Sequence, residues 1–102
     1  TGASVIRQLS EIRVDLCLMG ANGFSLKEGI TDGDWEVVQV KKAMIDAAET
    51  TYLVADSSKF GKSSFASLGA LSLIDYIITD SEVDPKNKII FEENEIQLII
   101  AE

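Results

Sequence analysis

Apolar residues along this chain fall into two alternating kinds of segment. Val14-Asp-Leu-Cys-Leu-Met19, Tyr52-Leu-Val-Ala55, Asp75-Tyr-Ile-Ile-Thr-Asp80 and Ile96-Gln-Leu-Ile-Ile-Ala101 are short, nearly continuous apolar runs that predict buried strands. Around them the spacing becomes helical. Thr1 to Ile12 carries Val5, Ile6, Leu9 and Ile12 on one helical stripe, with Thr1 as its cap. Asp34 caps a helix predicted to reach about Glu49, with Val37, Val40, Met44, Ala47 and Ala48 facing inward. Asp84 caps and Pro85 opens a third helix through about Glu93. Residues 60–68 predict a loop with one short extended piece, and 71–74 a brief turn. Strands of this kind alternating with helices predict an α/β fold, an open parallel sheet with flanking helices.

Between the first strand and the second helix, Gly20 to Gly33 is polar and punctuated by Gly20, Gly23, Gly29 and Gly33. It contains no standard phosphate-loop or dinucleotide fingerprint, and by spacing alone it reads as plain turns. In a parallel sheet it would share an edge with Asp56-Ser-Ser-Lys59, which ends the second strand. Ligands of open α/β sheets collect beyond such strand ends.

At 102 residues, 46% of them apolar, the chain suits one domain with a core of its own. The first residues, Thr1-Gly2-Ala3, lack an initiator methionine and suggest a segment excised from a longer protein. Seventeen acids against nine Lys+Arg give a net charge of −8. That balance argues against gripping DNA directly, because such binding draws its affinity from neutralising phosphates. Any anion site must be a local positive island. No apolar stretch is long enough to span a bilayer and no signal-peptide layout is present, so no membrane partner is expected. Cys17 reads as a small core residue, and a single cysteine fits a cytoplasmic location. With no histidine and one cysteine a zinc site is not expected; no cofactor is expected either.

The missing histidines also remove a nucleophilic triad. Ser57 or Ser58 with Lys59 is a conceivable pair, although adjacent side chains rarely face one another. Asp56 and Asp80 could transfer protons, but acids at strand ends more often cap turns. Trp35 reads as a core anchor, with a lid over a pocket as the alternative. Lys41 by spacing alone reads as a snorkelling residue bordering the apolar stripe. Binding a sugar phosphate asks for less: the amides of 20–23, the hydroxyls of Ser57 and Ser58, and the charges of Lys41 and Lys59.

Three stretches together resemble the C-terminal sensor domain of the DeoR family of bacterial sugar-operon regulators. They are Asp15-Leu-Cys-Leu-Met-Gly-Ala-Asn-Gly-Phe24 with Gly29-Ile-Thr31, the helix Glu36 to Ile45 containing Val40-Lys41-Lys42-Ala43-Met44, and Leu53-Val-Ala-Asp-Ser-Ser-Lys-Phe-Gly61 followed by Ile74 to Asp80. The resemblance covers almost the whole chain. It implies a fold related to ribose-5-phosphate isomerase, glucosamine-6-phosphate deaminase and CoA transferases. It also implies that residues 1–102 form the C-terminal part of an effector-binding domain. On that resemblance the effector would be a phosphorylated sugar, and DNA would be contacted only through a helix-turn-helix domain outside this chain. The family's phosphate loop would also lie outside it.

Pentose-phosphate isomerases resemble the chain around an acidic loop that here reads Met19-Gly20-Ala21-Asn22-Gly23, without the catalytic aspartates. Their glutamate base aligns with Lys41. An ammonium cannot abstract a proton at neutral pH but can hold an anion. The resemblance therefore implies a receptor with no catalytic residues, and ligand contacts from Gly20, Asn22, Gly23, Lys41, Asp56, Ser57 and Lys59. An isomerase or transferase of the same fold is the alternative, and a structural oligomerisation domain a third. An open sheet leaves an edge strand exposed, so a homo-oligomer is expected.

Overall fold

The computed structural model describes residues 2–101, so the expected cap at Thr1 lies outside the described residues. The elements run α1 (Gly2–Leu9), β1 (Val14–Met19), β2 (Gly23–Ser25), β3 (Gly29–Asp32), α2 (Trp35–Ala47), β4 (Ala48–Val54), β5 (Ala66–Gly69), β6 (Tyr76–Asp80), α3 (Pro85–Glu93) and β7 (Gln97–Ala101), with short 3-10 turns at Ser57–Lys59 and Leu71–Leu73. Four strands form a parallel sheet in the order β1-β4-β6-β7.

That order rises steadily with sequence, and this has a steric consequence. Right-handed crossovers between successive parallel strands then all fall on one side of the sheet. Val38 of α2 and Phe91 of α3 accordingly share one core with Cys17, Met19, Leu53, Ile77 and Leu98. The opposite face carries Leu16, Leu18, Val54 and Ile99, with Leu18 58% exposed. On that face the Tyr52 and Tyr76 rings stack, 4.7 Å between centroids. The expected helical cover is thus present on one face only.

Inside the glycine-rich stretch the chain folds more than the turn signals suggested. β2, β3 and β5 form a second, antiparallel sheet in the order β2-β3-β5. These strands are only three or four residues long, too short for periodicity to mark them. Gly29 is required there: its φ is +76°, and a Cβ would collide with the Gly69 carbonyl. Phe24 of β2 joins this small sheet to the main core. It is fully buried, with its ring centroid 4.6 Å from Phe60 and 6.2 Å from Phe91.

Four local expectations are corrected. Helix α1 ends at Leu9, and the chain tightens through Glu11 N–H to Gln8 and Ile12 N–H to Leu9 bonds. Helix α2 buries Val38, while Val37 is exposed, because α2 packs on two flanks. Val38 meets the core, and Val40 lies against α1 beside Gly2. Trp35 is 55% exposed, and the Lys42 ammonium sits 5.7 Å from its ring centroid. Strand β4 begins at Ala48, four residues earlier than the apolar run. Pairing of Val14 with Ala48 and the Asp75 carboxylate on the Thr51 N–H (2.8 Å) hold its polar start in the sheet.

Candidate functional site

Because β1, β4 and β6 run parallel, their carboxyl ends open on one edge, and the predicted site residues gather there in two groups. The first follows β4. Asp56 caps the turn Ser57–Lys59, its Oδ1 accepting from the Ser58 N–H at 2.9 Å and from the Ser58 hydroxyl. Asp80, at the end of β6, reaches across: its Oδ2 accepts from the Ser57 N–H at 2.9 Å and its Oδ1 from the Glu82 N–H at 2.8 Å. The turn is thereby tied to two strands. The two acids, conceivable as a proton-transfer pair, act as caps. Lys59 has no carboxylate within 4 Å among the described residues, and its N–H bonds to the Asp56 carbonyl.

These bonds favour the charged carboxylates. The Ser58 hydroxyl and N–H hold Asp56 below the usual carboxylate range, and the Ser57 and Glu82 N–H groups do the same for Asp80. A depressed folded value means stability that is complete above the unfolded value of about 3.9 and lost as pH falls through the folded one. Acid titration of the turn is therefore expected below about pH 4. The Asp80→Asn variant should show a shallower loss of stability there, read by thermal unfolding between pH 2.5 and 6. An unchanged acid limb would count against this role for Asp80.

The second group surrounds Lys41. Its Nζ lies 2.5 Å from the Gly20 carbonyl oxygen, just past β1, and 2.5 Å from Oδ2 of Asp32 at the end of β3. Lys41 is therefore no snorkelling residue: its side chain is 19% exposed and that of Asp32 12%. Asn22 joins them. With its amide oriented to satisfy both ends, it donates to Asp32 Oδ1 at 3.2 Å and accepts from the Gly33 N–H at 3.2 Å. The Gly33 N–H also reaches Asp32 Oδ1 at 3.1 Å.

Asp32 is the residue that sequence reasoning missed. It follows Thr31 in a stretch whose glycine spacing signals turns, and only the β3 pairing brings it under α2. Gly23 has a packing reason for its identity. A Cβ there would stand 2.5 Å from the Lys62 carbonyl oxygen, and the Gly23 carbonyl accepts from the Thr31 hydroxyl at 3.0 Å. The groups adjoin through the backbone, where Gly61 N–H bonds the Phe24 carbonyl at 2.8 Å and Phe60 bridges Phe24.

A family model described as the DeoR C terminal sensor domain matches residues 1–81. The chain belongs to the DeoR sensor-domain family. Among relatives of this DeoR sensor domain is the glycerol-3-phosphate regulon repressor of Haemophilus influenzae, 35% identical over 78 residues, which cover 76% of this chain and 31% of that protein. The transcriptional repressor GlcR of Bacillus subtilis is 37% identical over 101 residues, 99% of this chain and 39% of that protein. The glycerol-3-phosphate regulon repressor of Escherichia coli is 27% identical over 97 residues, 95% of this chain and 38% of that protein. The DeoR sensor domain described here thus spans between 31% and 39% of the length of these curated relatives. No helix among the described residues is long and apolar enough to cross a membrane.

Proposed function

We propose that this DeoR sensor domain binds a phosphorylated sugar or polyol at the carboxyl edge of β1, β4 and β6, and that binding regulates a linked DNA-binding domain. The observation that carries this reading is the pair of lysines at one sheet edge. Lys59 lies on a turn held by Asp56 and Asp80, and Lys41 stands over Gly20 beside Asn22. Ammonium, amide and loop N–H donors at one edge suit a ligand that carries both an anionic group and hydroxyls. Two relatives are repressors of a glycerol-3-phosphate regulon, which fits a ligand of this class.

Ligand contacts are assigned to Gly20, Asn22, Lys41, Ser57 and Lys59 on this reading. Gly23 and Asp56 then act by shaping the backbone around them. The protein is read as a cytoplasmic receptor without catalysis, since on the resemblance to pentose-phosphate isomerases Lys41 stands at the position of their glutamate base. The bare apolar face of the sheet supports association with further polypeptide, including a second copy. Effector binding that favours one arrangement over another would shift what the DNA-binding domains present.

The test is calorimetric titration of the full-length protein with a panel of triose, pentose and hexose phosphates, alongside turnover assays on the same compounds. Saturable binding without turnover is expected. Indifference to the whole panel would overturn the receptor reading, and turnover would replace it with the enzymatic one.

A further inference from the structure

Asp32 gives Lys41 a chemistry different from that of a free cation. An ammonium has three N–H donors. In Lys41 one meets the Gly20 carbonyl and another Asp32 Oδ2, both at 2.5 Å. The Asp32 carboxylate accepts from Lys41, from the Gly33 N–H and from the Asn22 amide. What remains on this group is one ammonium N–H, one amide N–H and spare carboxylate acceptor capacity, with no net charge. Sugar hydroxyls both donate and accept, so they match such a mixed set. A phosphate only accepts at neutral pH and is repelled by the carboxylate. Lys59, by contrast, has no carboxylate partner within 4 Å among the described residues.

We propose that Asp32 is the specificity-determining residue of the site: by pairing with Lys41 it makes Lys41 and Asn22 a reader of sugar hydroxyls and leaves the effector's phosphate to Lys59. The inference rests on the sugar-phosphate reading above and divides that ligand between the two residue groups. Asp32 acts through Lys41 and is a positioning residue.

Methyl phosphate separates the two functions, because it carries a phosphate monoester and no hydroxyl. The experiment compares its affinity with that of the tightest sugar phosphate in the panel. The wild-type protein should prefer the sugar phosphate. In Asp32→Asn that preference should fall by about tenfold or more, as hydroxyl contacts to a positioned polar set are lost. Methyl phosphate should at the same time bind about threefold tighter, because a nearby like charge is gone. Asp32→Glu should restore part of the preference. The double variant Asp32→Asn/Lys41→Gln keeps the pair neutral, which guards against misfolding of the single change. It should lose the sugar preference while holding methyl phosphate within about twofold of wild type.

Equal weakening of both ligands in these variants, or an unchanged preference, would overturn the role of Asp32 and leave the receptor reading standing. A wild-type protein that binds neither class of phosphate would overturn the receptor reading itself and this inference with it.

Discussion

Phe24→Ala is expected to lower the unfolding free energy by about 3–5 kcal/mol, the usual cost of emptying a buried aromatic site. Domains of this size hold roughly 5–15 kcal/mol in total, so the variant should be partly unfolded or close to it. The effect is large because Phe24 is fully buried and belongs to two structures at once. Its backbone pairs β2 with β3, and its ring fills the space between Phe60 and Phe91. No neighbour can close that gap without moving either α3 or the loop after Lys59. Urea unfolding checks this, with Leu26→Ala in the same hairpin as control. Leu26 is 40% exposed and should cost less than about 1 kcal/mol. Equal losses from the two variants would refute the keystone role. The Gly61 N–H bonds the Phe24 carbonyl, so faster hydrogen exchange at Gly61 should accompany the loss.

Lys59→Ala should weaken binding of a phosphosugar by about 10- to 100-fold, as removal of a charge-assisted phosphate contact costs roughly 1.5–3 kcal/mol. The turn itself should survive. Its geometry is set by Asp56 and by the Asp80 bond to the Ser57 N–H, neither of which involves the Lys59 side chain. Thermal stability should therefore change little while affinity collapses. Lys62→Ala makes a suitable control, since Lys62 is exposed and should change affinity only slightly. Affinity unaltered by the loss of Lys59 would sink the assignment. Salt should also weaken wild-type binding more than that of the variant, because one screened attraction is gone.

Legibility of the fold varied with the length of its elements. Runs of four to six residues, apolar in their middle, marked β1, β4, β6 and β7, and caps at Asp34 and Asp84 marked two helix starts. The hairpin of β2 and β3 leaves no such mark, because its strands hold three and four residues, two of them glycine. At that length neither alternation nor propensity separates a strand from a turn. Of the stripe read for helix α2, Ala47 is buried and Met44 and Ala48 pack against the core, whereas at its start Val38 is buried in place of Val37, about 100° round the helix. Val40 shares the helical spacing of that stripe but lies against α1 beside Gly2. The site was similarly divided. The run Tyr52–Gly61 and the family pattern pointed to Lys41, Asn22, Asp56 and Lys59 as candidates. Asp32 was not, because no local spacing relates it to a lysine nine residues later.

Sequence alone determined the class of this protein. Apolar runs that want burial on both faces require a sheet with helices, and ordered polar strand ends mark the edge where chemistry can occur. The family pattern added the kind of ligand to expect. Tertiary structure decided everything that depends on direction. The steadily rising strand order put all crossovers on one side and left Leu16, Leu18 and Val54 bare. Pairing of β3 with β5 carried Asp32 to Lys41, and the reach of Asp80 to Ser57 turned a possible acid pair into two caps. Residue types and spacing limit what a side chain can do, but which partner satisfies its charge and hydrogen bonds is set by contacts distant in sequence.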